Sequence, residues 1–200
     1  MARNLGLLIA ILAWATTAGE AYVSLTNPQH ANAFVALGHM YSYFTVISCT
    51  LTAIVYTAML ANPAGWAGSV PMRAALALYM VMLAIIFHVL LAGGERVGQE
   101  VWLNISFHMV LPALVGLDWL IFAPKRGLQY SHALWWLAYP LIYCGISQLR
   151  GALGDPYPYF FFDPAVAGVG AVMQWVAILT LAFLLAGFAQ IGATRQLAHR

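Results

Sequence analysis

The stretch Arg73–Ala92, "RAALALYMVMLAIIFHVLLA", decides the fold class because it is long and apolar enough to cross a lipid bilayer. A helix needs about 20 predominantly apolar residues to span the hydrocarbon core. After Arg73, the only side chain in this stretch that is strongly polar is that of His88. The stretch therefore predicts a membrane-spanning helix.

The composition extends this prediction to the whole chain. Of its 200 residues, 63% are hydrophobic and only 7% are charged, and the mean hydropathy is +0.82. Soluble domains are roughly a quarter charged, so the composition indicates an integral membrane protein. Alternating strand patterns are absent, which favours helices over an outer-membrane barrel. We expect an all-α membrane bundle that forms one domain over residues 1–200, with the bilayer as its main partner.

Apolar runs of similar length recur along the chain and predict six transmembrane helices. Short connections with turn-forming residues separate them, including Asn27-Pro28, Asn62-Pro63, Gly93-Gly94 and Pro124 to Gly127. The predicted spans are Asn4–Leu25, Tyr41–Ala61, Arg73–Ala92, Trp102–Phe122, Ala133–Leu149 and Gly168–Ala193.

The first span has a second interpretation as a secretory signal peptide. Arg3, the apolar run from Leu5 and the small residues near Thr16 are typical of such a leader. Tyr22 to Leu25 extend the run to spanning length, so we expect a retained helix.

The distribution of Lys and Arg predicts the orientation, because cytoplasmic loops carry the excess of these residues. Arg96 and Arg150 lie on one predicted side. Both termini are therefore expected in the cytoplasm. The cations on the cytoplasmic side are Arg3, Arg73, Lys125, Arg126, Arg195 and Arg200.

The charge distribution and the cysteine spacing argue against two kinds of site, a nucleic-acid interface and a cysteine pair. The net charge is +2, and the basic residues are spread singly among the loops, so no basic patch predicts a nucleic-acid partner. Cys49 and Cys144 lie in apolar runs without CxxC spacing. They are more typical of buried thiols than of a disulfide or a metal pair.

Polar side chains within and beside the spans gather in the outer half of the predicted bundle. Ionisable groups inside a membrane are costly and mark functional sites by default. His108, for example, lies about 9 Å below the outer end of its span at 1.5 Å per residue. Unrelated structural residues would occupy both leaflets, so the grouping predicts one outward-opening polar cavity. Its members are Glu20, Thr45, His88, His108, Arg150 and Asp163.

These residues also have structural interpretations, which the sequence leaves open. A threonine such as Thr45 typically caps its helix or bonds to a carbonyl of that helix. Glu20 and Arg150 are also typical of an interfacial pair or of snorkelling side chains. His88 fits a structural hydrogen bond as well as it fits a site. Asp118, near the inner end, is expected to be held by the inward cations.

Two local stretches are more informative. In "WLNISFHMVLP", Asn104 and His108 are four residues apart and share a helix face, and Pro112 leaves the carbonyl of His108 without its helical donor. In "YPYFFFDP", Tyr157–Pro164, prolines exclude a helix interior and aromatic rings disfavour open water. This second stretch is expected to be either a lid over acyl chains or an aromatic interface anchor in which Asp163 caps the last helix.

Three stretches together resemble the androgen-induced protein family and, more closely, its bacterial multi-pass relatives. They are "YFTVIS", "WLNISFHMVLP" and "RGALGDPYPYFFFDP", in this order and with similar spans between them. The animal members are membrane threonine hydrolases that cleave fatty acid esters of hydroxy fatty acids. The resemblance implies that Thr45 is the nucleophile and His108 the histidine. The eukaryotic helix carries a second histidine where this chain has Ile105.

Chemistry of this kind fits the residue types. An imidazole takes the proton of a threonine hydroxyl during its attack on an ester and returns it to the leaving alcohol. Asn104 and Ser48 are candidate donors to the oxyanion. For the free carboxylate of a substrate, Arg150 and His88 are candidates. Asp163 and Glu20 are candidates for orienting a histidine or pairing with Arg150. This lipid ester hydrolase would require no cofactor or metal.

Two other functions remain open from the sequence. His88 and His108 lie at comparable depth and are candidate axial ligands of a haem, or ligands of a metal together with Glu20 or Asp163. A lipid-binding protein or transporter without chemistry would also explain an outward cavity, although no inverted repeat is visible.

Overall fold

The computed structural model of the chain describes residues 1–92 and 101–198, and within these ranges every regular element is a helix. The all-α class predicted from composition is therefore confirmed. The predicted turn at Gly93-Gly94 and the cations Arg96 and Arg200 lie outside the described residues.

Ten α-helical segments follow one another along the described chain. Two π-helical segments continue them: Phe87–Leu91 extends α4, and Ser106–Val110 joins α5 to α6. The α-helical segments are α1 Ala2–Thr26, α2 Ala33–Met40, α3 Phe44–Ala61, α4 Val70–Ile86, α5 Val101–Ile105, α6 Leu111–Phe122, α7 Tyr130–Trp136, α8 Ala138–Ala152, α9 Pro164–Ala167 and α10 Val169–Ala198.

Five helices in the described residues are long and apolar enough to cross a membrane, as expected for a multi-pass membrane protein. They overlap five of the six predicted spans, with boundaries that differ by a few residues. They are Ala2–Thr26, Phe44–Ala61, Val70–Leu91, Val101–Phe122 and Val169–Gln196.

The remaining predicted span, Ala133–Leu149, falls on two shorter helices, α7 and α8, with a break at Leu137. Pro140 explains the break, because it has no N–H and its ring clashes with the carbonyl four residues earlier, that of Trp136. Trp136 is the last residue of α7. The count of six spans therefore stays a prediction.

The chain divides into two compact units, Met1–Pro124 and Lys125–Arg200. In the first unit α1 packs mainly against α3, and α4 packs against α6. Ala13 and Cys49 are fully buried at the α1–α3 contact, where the Cys49 thiol donates to the Ala13 carbonyl at 3.5 Å. Small side chains let helix backbones approach closely, as is usual in membrane bundles. The single domain expected over residues 1–200 stays a prediction.

In the second unit α10 packs against α7 and α9, and an aromatic cluster fills the space beside it. Phe161 and Phe162 are almost fully buried, and the Phe161 ring lies 5.8 Å from that of Trp175. The Gln148 side chain donates to the carbonyl of Phe162 at 3.0 Å. Phe161 and Phe162 are therefore packed into the core of their own unit, whereas Phe160 is 50% exposed. The choice between a lid and an interface anchor stays a prediction.

Candidate functional site

Thr45 and His108 lie on different helices of the first unit, and their side chains are in contact. The Thr45 hydroxyl Oγ1 is 3.4 Å from Nε2 of His108, although the two residues are 63 positions apart. Tyr43 is the N-cap of α3, and no side chain caps this helix. The Thr45 hydroxyl thus contacts an imidazole and does not cap its own helix.

The His108 imidazole is held by its own helix. Its Nδ1 lies 3.0 Å from the backbone carbonyl oxygen of Asn104, one turn earlier. A carbonyl oxygen only accepts hydrogen bonds, so Nδ1 carries the proton and, in a neutral ring, Nε2 is left as an acceptor. His108 is 6% exposed, whereas Thr45 is half-buried. The threonine hydroxyl can therefore donate to Nε2 and is the more accessible of the two groups.

The backbone around His108 is widened into a π-helical turn, Ser106–Val110. The N–H of Leu111 donates to the carbonyl of Ser106, five residues earlier. Pro112 gives the physical reason, since its ring clashes with the carbonyl of His108 in a regular α-helix and it has no N–H to donate. Turns of this kind occur frequently at functional sites.

A hydroxyl pair ties this turn to the first helix. Thr16 Oγ1 on α1 lies 2.6 Å from Ser106 Oγ, and both side chains are buried. Thr16 also donates to the carbonyl of Leu12 at 2.8 Å, so Ser106 is the donor of the pair. This contact adds a third helix to the surroundings of His108, and the sequence analysis did not identify it.

Phe87, which the sequence analysis also missed, stacks on His108. The two ring centroids are 3.6 Å apart and the planes differ by 13°. Phe87 begins the other π-helical segment, at the end of α4. An aromatic residue in an apolar run gives no signal of such a contact, because the rotation of each helix about its axis decides it.

Ser48 and Asn104 are the candidate donors to the oxyanion. Ser48 lies about one helical turn after Thr45, and Asn104 lies about one turn before His108. Ser48 is fully buried on α3, three residues after Thr45. The Oδ1 atom of Asn104 is buried and has no hydrogen-bond partner among the described residues. A buried polar atom without a partner is costly, so a donor from a ligand or water would stabilise it. The oxyanion role of both residues stays a prediction.

The other candidates of the first unit lie on α1 and at the end of α4. His88 is exposed, and its Nδ1 lies 2.7 Å from the carbonyl of Ala84 on its own helix. Glu20 on α1 is half-buried. In residues 1–92 and 101–198, no three His, Cys, Asp or Glu side chains are grouped so that they could hold a metal ion. Axial ligation by Nε2 of His108 would require its contact with Thr45 to break.

Arg150 and Asp163 belong to the second unit. Arg150 donates to the carboxylate of Asp155 at 2.8 Å, and the Asp163 carboxylate accepts from the backbone N–H of Ala165 at 2.8 Å. Asp163 therefore caps the short helix α9, which precedes the last long helix. Their predicted roles in substrate binding stay predictions.

A cavity of about 350 Å³ also lies in this unit, and its walls are mostly apolar. Gln148 provides a polar group to the lining. The remaining lining residues are Pro164, Val169, Val172, Met173, Val176 and Ala177. The polar cavity predicted around Thr45 and His108 is a different feature and stays a prediction.

A second polar cluster of the first unit joins α3, α4 and α6. The Asp118 carboxylate, 2% exposed, accepts from Arg73 at 2.7 Å and from the Tyr56 hydroxyl at 2.8 Å. The sequence analysis expected inward cations to hold Asp118, and Arg73 is one of them. Tyr56 was not identified, although it and Thr45 lie on the same face of α3 by helical spacing.

Comparisons with protein-family models, with curated proteins and with solved structures returned no match to this chain.

Proposed function

We propose that this chain is a membrane-embedded lipid ester hydrolase in which Thr45 is the nucleophile and His108 the general base. The observation that carries the proposal is the 3.4 Å contact between Thr45 Oγ1 and His108 Nε2. A threonine hydroxyl is a weak nucleophile until an adjacent base takes its proton. The proton on Nδ1, held by the Asn104 carbonyl, leaves Nε2 in the acceptor form that this role requires.

The reaction follows from these positions. Oγ1 attacks the ester carbonyl while Nε2 takes its proton, and the resulting imidazolium returns that proton to the leaving alcohol. A water molecule then attacks the threonine ester and loses its proton to Nε2. The bond between the acyl carbon and Oγ1 breaks, the imidazolium returns the proton to Oγ1, and the fatty acid is released. The distance of 3.4 Å is longer than an ideal hydrogen bond, and such contacts typically tighten when substrate binds.

The location of the pair favours a lipophilic substrate. Both residues lie on helices that are long and apolar enough to span a bilayer. Together with the resemblance to membrane threonine hydrolases, this favours fatty acid esters of hydroxy fatty acids or similar esters. We place the protein in the bacterial inner membrane, with six spans, cytoplasmic termini and the site towards the outer side.

Substitutions of the two residues test the proposal. Hydrolysis of a palmitate ester of hydroxystearate is measured with purified protein in nanodiscs. Thr45→Ala and His108→Gln should each lower kcat/KM by at least about a thousandfold, because the two residues act as a unit. Thr45→Ser keeps the hydroxyl and should retain activity.

Thr50→Ala is the matched control. Thr50 lies on the same helix, is half-buried and bonds to the carbonyl of Val46 at 2.9 Å. This variant should keep full activity. A fluorophosphonate probe should form an adduct on Thr45 that is absent from His108→Gln. Full activity of Thr45→Ala, with the adduct elsewhere, would end the proposal.

A further inference from the structure

We infer that Phe87 is a positioning residue for His108: its ring holds the imidazole plane in the orientation that aims Nε2 at Thr45. The part of this inference that concerns catalysis rests on the proposed function. Its geometric basis, the stacked pair of rings, is independent of that function.

The stack fixes what the hydrogen bonds leave free. Nδ1 is held by the Asn104 carbonyl at 3.0 Å, and this hydrogen bond by itself permits the ring to rock about the contact. The Phe87 ring lies almost parallel to the imidazole, with the centroids 3.6 Å apart and a tilt of 13°. A face-to-face contact limits rotation out of the plane. The hydrogen bond and the stack together therefore define the direction of Nε2.

The neighbouring ring of Phe107 does not have this geometry. Its centroid lies 6.2 Å from that of His108, with a tilt of 54°. Phe107 is 3% exposed and adjacent to His108 in sequence. It is thus a buried phenylalanine near the same imidazole that packs without stacking.

Both partners of the stack lie on π-helical turns, Phe87–Leu91 and Ser106–Val110. A π turn widens the helix and redirects its side chains relative to a regular α-helix. Pro112 accounts for the second turn, whereas no proline follows closely after the first. The helix segments α4 and Ser106–Val110 pack against each other. Both rings of the stack are thus carried by irregular turns.

The stack also affects the charge that develops during the reaction. When Nε2 takes the threonine proton, the imidazole becomes a cation above the face of the Phe87 ring. A cation within about 6 Å of an aromatic centroid is attracted by the ring quadrupole. Loss of this attraction and of the fixed orientation should lower kcat by about two- to thirtyfold.

The test combines kinetics with a readout that needs no turnover. Phe87→Leu and Phe87→Met remove the aromatic face and keep an apolar side chain, Phe87→Tyr restores the ring, and Phe107→Leu is the matched control. Phe87→Leu and Phe87→Met should lower kcat with little change in KM, whereas Phe87→Tyr and Phe107→Leu should resemble the wild type. Thermal unfolding of each variant identifies any loss of activity that comes from misfolding.

The second readout is 15N NMR of histidine-labelled full-length protein in nanodiscs. The His108 signals are assigned by their absence from His108→Gln. The wild type should show the tautomer with the proton on Nδ1, which the Asn104 carbonyl fixes. Both Phe87→Leu and Phe87→Met should keep this tautomer but shift the Nε2 signal towards that of an imidazole nitrogen without a hydrogen-bond donor, because the ring no longer aims Nε2 at Thr45. An Nε2 signal that stays at the wild-type position in both variants overturns the inference, even when Thr45 and His108 prove essential. If the wild type hydrolyses no ester, the proposed function fails and the Nε2 signal still decides the role of Phe87.

Discussion

At the scale of single residues, Asp118 connects three helices through one carboxylate oxygen. Oδ2 accepts both from Arg73 and from the Tyr56 hydroxyl. Asp118 is 2% exposed, and the Arg73 side chain is 14% exposed. Removing one member of a buried ion pair is costly because the other charge is left without compensation. This cluster is therefore expected to stabilise the first unit.

Substitution of Asp118 should destabilise the protein strongly. Asp118→Asn leaves the Arg73 guanidinium buried beside a neutral amide, and we expect the free energy of unfolding to fall by about 3–5 kcal/mol. Tyr56→Phe removes one hydrogen bond and should cost about 1–3 kcal/mol. Denaturant unfolding in mixed micelles measures both values.

The pair of Arg150 and Asp155 provides the control for Asp118. Its side chains are 31% and 51% exposed and 2.8 Å apart, so Asp155→Asn should cost at most about 1 kcal/mol. Equal losses in Asp118→Asn and Asp155→Asn would contradict the stabilising role of Asp118.

Sequence reasoning identified residues at this scale by type and depth. Thr45 and His108 were selected because polar groups are rare in apolar helices, and Asn104 because it lies one turn before His108. The pairing of Thr45 with His108 was implied by the resemblance, and the structure brings these two side chains into contact. Phe87 and Tyr56 were not selected, since an aromatic residue in an apolar run is unremarkable until the rotation of its helix is known. Depth alone predicted that inward cations hold Asp118. The nearest in sequence are Lys125 and Arg126, whereas the partner in the structure is Arg73, which lies near the inner end of its own predicted span.

At the scale of helices, Pro112 shapes the turn that carries His108. The π-helical segment Ser106–Val110 ends two residues before this proline. Replacing Pro112 by Ala restores an N–H donor and removes the clash with the His108 carbonyl, which favours a regular α-helix. Such a change should rotate His108 relative to α3.

Pro112→Ala should therefore lower activity without unfolding the protein. A displacement of about 1 Å at a reacting group costs up to a hundredfold in rate, so we expect kcat to fall by about ten- to a hundredfold. Pro140→Ala, which changes a proline near the start of α8 in the second unit, is the control and should leave kcat unchanged. Both variants are tested by steady-state kinetics and by the rate of fluorophosphonate labelling. Wild-type kinetics in Pro112→Ala would show that the turn does not position His108.

Helix positions were largely predictable, and their irregularities were not. Long apolar runs located five helices, because a bilayer imposes a minimum length on any span. The break at Leu137 was missed although Pro140 is visible in the sequence. The short helix α2 was read as part of a connection. The turn Phe87–Leu91 has no sequence signal that we can identify.

At the scale of the whole molecule, the positions of the cations predict which loops face the cytoplasm. Gly127 has φ +101°, a conformation that favours glycine, and it marks a turn directly after Lys125 and Arg126. Arg126 is exposed. On the opposite predicted side, Leu153 follows α8 and is 78% exposed.

Single cysteines at these two positions should report the orientation. Cys49 and Cys144 are first replaced by alanine, and a membrane-impermeant maleimide is added to intact cells. Leu153→Cys should be labelled in intact cells, and Arg126→Cys only after lysis, because the maleimide cannot cross the membrane. The opposite pattern would place the termini outside. Labelling of both positions in intact cells would contradict any topology that separates them by one span.

The bond between His108 and the carbonyl of Asn104 has a consequence for biosynthesis. Many hydrolytic histidines are oriented by an aspartate, and an aspartate in mid-helix costs roughly 2.5–3.5 kcal/mol during translocon insertion. Here the orienting acceptor is a peptide group of the same helix. The segment Val101–Phe122 can thus enter the bilayer with Nδ1 of its histidine already bonded as soon as it coils. Later packing of the helices adds the Phe87 ring to the imidazole and brings the threonine of α3, synthesised earlier, to Nε2.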